Sequence, residues 1–574
     1  MKIIEEMLET TFGTKFIPGT NVRGEVAGAS WTYLLPNLQI RGTLCIGAPS
    51  KPTLATLSRL SEHVLVMDRR RGTVPKSEPP VQKGRSSNIV LNSDWSEVKG
   101  DSVDLIVING WRKLSRISQD QSLLDEIQRV LIPGGMIYFD YLGPLTRLKK
   151  RTLSKILGSR FDQLQVYWQT PLIREVHTAV PMQDEYTVNY FYSRRIYSPV
   201  IRFRAIMRAE RAIINQPIIK KWFRRYGVLI SDSKFDFAEK PPRYLREIAS
   251  EQGVDIEDFR WGLSARGKYS SRKVLIYLFK KTSQTPEYIV KLTRDCSLNY
   301  RLENECRALS SLWKKGVGDE ESLPRVVFSG HHANLALVGE TVIRGVPFRK
   351  RTEANRDCPY ASAAIDWLID LSAQTVDYSS VTAAEASQKL MNLYGQLNNI
   401  YHLTKAERIF LEKQIYSIGD AQDQFPLVFQ HGDPGTWNLI VTNSGKVAFL
   451  DWEAAEFKGM GLWDLFYFLR SFCTWSARTH GIRDSLDAVD QNLFAAGNLS
   501  ELVLGAVENY INRTSFPVSL IEPMFYTCWM HRALKQATRL KPGKLGTGHY
   551  IRLLKLSIRK RNSLILDRLF SISG

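Results

Sequence analysis

From about residue 40 to 145, short apolar runs alternate with stretches whose apolar residues recur at every third or fourth position. TLCIGA (43–48), HVLVMD (63–68), VDLIVI (103–108) and MIYFDY (136–141) have the length and β-branched content of buried strands. Between them, TLATLSRL (53–60) and SLLDEIQRVL (122–131) carry the helical spacing. This alternation predicts a parallel, doubly wound sheet. Farther on, FRWGLSARGKY, SSRKVLIYLFK and PEYIVKLTRD read as three antiparallel strands, followed by a helix over LNYRLENECRALSSLW. Beyond residue 360 the pattern is mostly helical, broken by one stretch from Val428 to Glu453.

Two further segments stand apart. PPRYLREIASEQ (241–252) reads as an exposed linker entering a helix. RRIYSPVIRFRAIMRAERAIINQPIIKKWFRR (194–225) interleaves Arg and Lys with Ile, Phe and Trp, has Glu210 as its only acid, and is bounded by Pro199 and Pro217. One reading is a basic helix packed on its own protein with a solvated face; the other is an amphipathic segment resting on anionic lipid or a lipid-linked substrate. The patterns divide the chain into a Rossmann-like domain (1–190), a basic helical connector (191–250), an α+β segment (251–345) and a largely helical one (346–574).

The composition of the 574 residues, 44% hydrophobic and 24% charged, is that of a folded multidomain protein. No apolar run reaches the length of a membrane span, and the acidic start MKIIEEMLETTFGTKF lacks the apolar centre of a secretory signal. Six cysteines without C-x-x-C spacing argue against zinc and disulfides and fit a cytoplasmic protein, with the basic segment at the inner face of the membrane. A net charge of +20 calls for an anionic partner: nucleotide, phosphorylated substrate, nucleic acid or acidic membrane. The chain carries no zinc finger and no RNP-like aromatic motif, which argues against nucleic acid.

The stretch VFQHGDPGTWNLIVTNSGKVAFLDWE carries the most chemistry. Two apolar strands, 426–430 and 447–451, flank a loop and a hairpin tip. Phosphoryl transfer needs metal ions on the phosphate oxygens, a cation and a group orienting the attacking hydroxyl. Asp433 can accept from that hydroxyl, the Asn438 amide oxygen can turn to a metal, and Asp451 can bridge metal and phosphate.

His431-Gly432-Asp433, Asn438 and Asp451-Trp452-Glu453 resemble the catalytic centre of the aminoglycoside and choline kinase-like phosphotransferases, distant relatives of protein kinases. The resemblance implies a two-lobed α+β kinase-like fold, ATP and Mg2+. It makes Asp433 the residue that orients and deprotonates the acceptor, with His431 bracing the catalytic loop and Asp464 supporting it. It also implies that Lys291 grips the ATP phosphates, paired with Glu305 or else Glu303. Gly262 and Gly267 would flank the phosphate-covering loop, and backbone groups from Glu340 to Val342 would meet adenine.

SLLDEIQRVLIPGGMIYFDY resembles the late part of class I S-adenosylmethionine-dependent methyltransferases, with a helix ending in a Pro-Gly-Gly turn before a strand. This implies a cofactor crevice formed by Gly47, Asp68 and Asp94 or Asn92, with Tyr141 and His177 as pocket residues. The first loop has only Gly47 where the family has several glycines. Arg69 to Arg71 would suit the 2′-phosphate of a nicotinamide cofactor, but G-x-G-x-x-G is missing.

The expectation is therefore an ATP- and magnesium-dependent kinase for a hydroxyl of a small molecule, sugar or glycan, fused to a methyltransferase-like domain. Modification of a polysaccharide or lipid-linked saccharide is its setting. The rivals are an aminoglycoside-type antibiotic kinase and a non-catalytic pseudokinase scaffold.

Overall fold

The computed structural model describes residues 26–67, 88–92, 94–109, 120–142, 163–170, 178–182, 184–194, 225–231, 240–265, 273–351, 353–420, 424–540 and 542–572. The candidates Asp68, Gly267 and His177, the triplet 69–71 and nearly all of the basic segment 194–225 lie outside these residues. Two compact units emerge, residues 21–302 with 326–342, and residues 303–325 with 343–574.

In the first unit, β1 (Ile40–Ile46), β2 (Ser61–Met67), β3 (Ile89–Asn92), β4 (Val103–Ile108) and β5 (Leu131–Leu142) run parallel in the order 3-2-1-4-5. The direction reverses between β1 and β4, as in doubly wound sheets whose ligands bind at that point. The helix Lys51–Leu60 is capped by Ser50, which accepts from the Thr53 N–H, and Gln121–Val130 by Asp120, which accepts from the Leu123 N–H. Strand β5 starts directly after Val130, so Pro133-Gly134-Gly135 lies inside the strand rather than before it. Gly134 at φ 81° takes up a register shift against β4.

The strand set then departs from the expected boundaries. After β6 (Gln163–Thr170) and β7 (Thr178–Pro181), the chain returns as β8 (Arg225–Ser231), antiparallel between β5 and β6. Residues 225–231, expected in a connector, thus belong to the sheet: RYGVLIS offers a buried side chain at nearly every position. Strand β7 pairs with β9 (Arg260–Ser264) through Thr178–Ser264 and Ala179–Leu263. From there β10 (Val274–Phe279), β11 (Tyr288–Leu292), β12 (Val326–His332) and β13 (Leu335–Thr341) extend the sheet in the order 9-10-11-13-12, giving thirteen strands in all among the described residues.

Alternation along the strands separates two apolar layers. Leu44, Ile106, Ile137 and Val228 face one layer, whereas Cys45, Val107, Tyr138, Trp261, Leu263, Ile276, Val290 and Leu337 share the other. The second layer is continuous from Trp31, stacked on Tyr138 at 3.7 Å, to the far strands. The helix Arg243–Ser250 buries Tyr244, Leu245 and Ile248 in it, so 241–252 is partly core rather than an exposed linker. Gly262 serves this packing: a Cβ there would lie 2.4 Å from the Phe191 ring. It lies in β9, the strand that leads into the β9–β10 connection, and residues 266–272 of that connection fall outside the described residues.

The second unit is mostly helical. Its strands β14 (Gly345–Pro347), β15 (Leu427–Gln430), β16 (Leu439–Thr442), β17 (Val447–Phe449) and β18 (Glu456–Met460) make two small antiparallel sheets, 14-16-17 and 15-18. The two strands expected to flank the catalytic stretch therefore sit in different sheets. The helices Trp463–Thr479 and Ile521–Ala537 are buried around almost their whole circumference, including Asp464, Arg470, His531 and Arg532. Among the described residues no helix is long and apolar enough to cross a membrane.

Candidate active site

Beyond β15 the backbone turns sharply at His431 and Gly432. The Asp464 carboxylate, in the first turn of the helix Trp463–Thr479, accepts the His431 N–H at 2.6 Å and the Gly432 N–H at 3.2 Å. Gly432 adopts φ 76°, and a Cβ there would fall 1.9 Å from the Ala454 carbonyl oxygen. Only glycine fits that turn. The Gly432 carbonyl accepts from Arg532 Nη1 at 2.8 Å and from Lys535 Nζ at 3.3 Å.

His431 is fully buried. Its Nδ1 accepts the Asp433 N–H at 3.2 Å while its Nε2–H donates to the Leu450 carbonyl at 3.0 Å. With both ring nitrogens committed and its pKa pulled by burial down to about 4, the imidazole is a neutral brace. Asp464 is affected oppositely: burial pushes its carboxyl up to about 6, against the pull of Arg532 and the two backbone N–H groups.

Asn438 ties the loop to the next strand. Its Nδ2 donates to the Asp433 carbonyl at 2.9 Å and to the Asp433 carboxylate at 3.2 Å, while its own carbonyl accepts the Leu450 N–H at 2.8 Å. The amide nitrogen is therefore spent on Asp433, and Oδ1 is the atom suited to a cation. Asp451 follows in the left-handed region at φ 70°, ψ 64°. The helix Asn299–Lys314 braces this turn: Glu305 accepts the Trp452 N–H at 3.0 Å, and the Asn304 amide donates to the Ala455 carbonyl at 2.9 Å. Trp452 is buried with its ring 4.4 Å from that of His431. Asp433, Asn438 and Asp451 are each half-exposed.

Among the described residues no group of three or more His, Cys, Asp or Glu side chains could cage a metal. Magnesium with nucleotide needs no such cage, since one or two side chains and the substrate phosphates suffice. The Asn438 and Asp451 oxygens fit that donor set.

In the other unit Lys291 forms an ion pair with Glu340 at 2.8 Å, both side chains well buried. Lys291 stands opposite Val338 on neighbouring strands, so Glu340 is its diagonal neighbour on the same face. This pairing, between two residues of one sheet, was not among those expected for Lys291. The backbone of Glu340 lies in the ladder between Ile289 and Val326, and the Val342 N–H donates to the Glu287 carbonyl at 3.1 Å. Of the groups expected to meet adenine, the backbone of Glu340 is thus engaged by the sheet, while Val342 lies just beyond the end of β13.

At the reversal between β1 and β4, Gly47 has φ 89°. Its N–H donates to the Met67 carbonyl at 2.8 Å and its carbonyl accepts from the Asn109 amide at 3.1 Å. Asp94 accepts the Ser96 N–H at 3.0 Å, capping a short turn. Tyr141 is buried in the apolar layer, and the backbone of Asn92 ends β3.

Arg532 and Lys535 escaped the sequence reading. Arg532 is 5% exposed and its guanidinium lies 3.6 Å from the Tyr467 ring centroid. Half-buried Lys535 is lowered to about 8 by burial and by Arg532. An Arg within the otherwise apolar run CWMHRAL was the available signal.

Residues 266–492 match the phosphotransferase enzyme family, APH. No curated protein matches the chain. Among solved structures, glucosamine kinase in complex with glucosamine, ADP and inorganic phosphate is 14% identical, with 58% of this chain and 85% of that chain covered at a TM-score of 0.35. The bifunctional kinase-methyltransferase WbdD is 12% identical, covering 85% and 88% at a TM-score of 0.25. A Haemonchus contortus phosphoethanolamine N-methyltransferase in complex with S-adenosyl-L-methionine is 14% identical, covering 41% and 58% at a TM-score of 0.24.

Proposed function

We propose that the chain is an ATP- and magnesium-dependent phosphotransferase that phosphorylates a hydroxyl of a saccharide. The observation that carries this is the commitment of the Asn438 amide nitrogen to Asp433, one strand from the turn at Asp451. It turns Asn438 Oδ1 away from Asp433 as one hard oxygen donor; with the Asp451 carboxylate as the other, the pair would hold a metal able to neutralise the phosphates. Asp433, whose backbone is fixed by His431 and Asn438, orients the acceptor hydroxyl and takes its proton. Lys291 is the cation for the nucleotide phosphates and must leave Glu340 or share it. Of the rivals, an aminoglycoside acceptor is disfavoured by Arg532 and Lys535 beside Asp433, which would repel a polycation.

For the first unit we propose S-adenosylmethionine as cofactor, held at the β1/β4 reversal by the positive-φ turn at Gly47. The setting proposed for the pair is the modification of a polysaccharide or lipid-linked saccharide.

The test is transfer of label from γ-labelled ATP to a panel of sugars and glycans by wild type and Asp433→Asn. Transfer by wild type alone supports the reading; equal background in both favours a scaffold.

A further inference from the structure

Arg470 lies mid-helix in Trp463–Thr479 and is 5% exposed. Its partners are neutral: Nη1 donates to His549 Nε2 at 3.0 Å and Nη2 to the Tyr550 hydroxyl at 3.1 Å, while Nε is buried without an acceptor. The guanidinium stands 5.1 Å from the ring centroids of both Tyr467 and Tyr550. His549 receives Arg470 on a lone pair, so its proton is on Nδ1, which donates to Ser485 Oγ at 2.9 Å. Burial, and then Arg470, hold that imidazole neutral, its pKa down at about 3. Among the described residues no carboxylate lies within ion-pair distance of Arg470.

Arg349 repeats the situation. It is half-buried, its Nε donates to Thr436 Oγ1 at 2.9 Å, and its guanidinium lies 5.4 Å from the Trp437 ring centroid. It too has no carboxylate partner among the described residues. Burial, then Arg478 and Arg470, draw its pKa down to about 10, so these guanidiniums share one field. Thr436 and Trp437 belong to the loop between Asp433 and Asn438, and Thr436 also contacts Ser471, next to Arg470.

A buried guanidinium is costly unless a negative charge accompanies it. Here one buried guanidinium, Arg470, and one half-buried, Arg349, stand beside the catalytic loop, in addition to Arg532 and Lys535, which already serve the Gly432 carbonyl. Around them Trp437, 48% exposed, and the half-exposed Tyr550 offer ring surface of the kind that packs against a sugar face. We infer that Arg349 and Arg470 form a receptor for an anionic group, phosphate or carboxylate, of the acceptor saccharide. The acceptor then carries its own negative charge besides the hydroxyl that is phosphorylated. The inference rests on the phosphotransferase reading and deepens it to a substrate class.

Inorganic phosphate titrated calorimetrically into the full chain tests the receptor; glucuronic acid, glucose and glucosamine with labelled ATP test its role. Phosphate binding should weaken at least tenfold in Arg470→Gln and in Arg349→Gln and persist in Lys291→Ala, which separates this site from the nucleotide phosphates. Glucuronic acid should be labelled with a KM at least tenfold below those of glucose and glucosamine, and Arg349→Gln should raise that KM while sparing the KM for ATP. If Arg470→Gln fails to fold, the half-buried Arg349 decides. Phosphate binding unchanged in the Arg variants, or lost only with Lys291, overturns the receptor. A rise confined to the KM for ATP, or preference for a neutral or cationic sugar, overturns its assignment to the acceptor. Absence of any label transfer, with phosphate binding still lost in Arg349→Gln, removes the kinase reading and leaves the anion receptor standing.

Discussion

The carboxamide nitrogen of Asn438 bonds both the carbonyl and the carboxylate of Asp433, at 2.9 and 3.2 Å. One side chain thereby sets the direction of the carboxylate proposed to orient the acceptor and turns its own oxygen to where the proposed cation would bind. Asn438→Ala removes both at once. It should lower kcat by roughly 100-fold, the scale of a misplaced reacting group, and raise the magnesium concentration needed for half-maximal rate. Steady-state rates across a magnesium series check this; an unaltered magnesium requirement would leave Asn438 a purely structural tie.

Lys291 and Glu340 are buried together at 2.8 Å. Glu340→Ala removes a carboxylate from a desolvated ammonium, which should cost about 3 kcal/mol in chemical denaturation. Glu340→Gln should recover part of it. Lys291→Met should cost a comparable amount, since it removes the cation beside the deeper-buried Glu340, and should in addition raise the KM for ATP.

Gly432→Ala forces a side chain into both a left-handed turn and the Ala454 carbonyl. A loss of about 3 kcal/mol or more is expected, together with loss of the His431 and Asp464 contacts. Thermal unfolding of the variant measures it, and a midpoint near that of wild type would contradict the geometry.

The pH dependence follows from the buried neutral histidines. The pKa of His431 falls from 6.5 to about 4, so it supplies stability that is fully present above pH 6.5 and lost as pH drops through 4, about 3 kcal/mol in all. His531 and His549 are depressed as well, each first by burial, and act in the same direction. Asp464 opposes them: its raised carboxyl favours the protonated fold, adding stability as pH falls from 6 towards 3.8. His332 is lowered by burial too and Glu522 raised by it, so with four histidines against two carboxyls the unfolding midpoint should decline between pH 6.5 and 4. His549→Asn should flatten that decline; an equally steep profile in the variant would refute the assignment.

The parts legible in the sequence were those whose signal is local. β1, β2, β4, β10 and β11 announced themselves as apolar runs, and H-G-D-x-x-x-x-N with a later D-W gave the loop because its parts lie within 26 residues. The missed parts depend on what the chain returns to. RYGVLIS reads as a strand only once its place between β5 and β6 is known. Lys291 and Glu340 are 49 residues apart, and their pairing follows from a strand register. Arg349, Arg470 and Arg532 come from three separated segments; each of the last two is a charge set in a largely apolar stretch of helix, LFYFLRSFCTW and CWMHRAL. Such a charge needs a reason, but its partner cannot be read from the helix alone.

The most direct test of the central claim is Mn2+ titration, followed by water-proton relaxation, in the presence and absence of ATP. Wild type should bind Mn2+ tightly only with ATP, and Asp451→Asn should weaken that binding at least tenfold, a loss of about 1.4 kcal/mol or more. Equal Mn2+ affinity in wild type and Asp451→Asn with ATP present would contradict the assignment of this site to metal-assisted phosphoryl transfer.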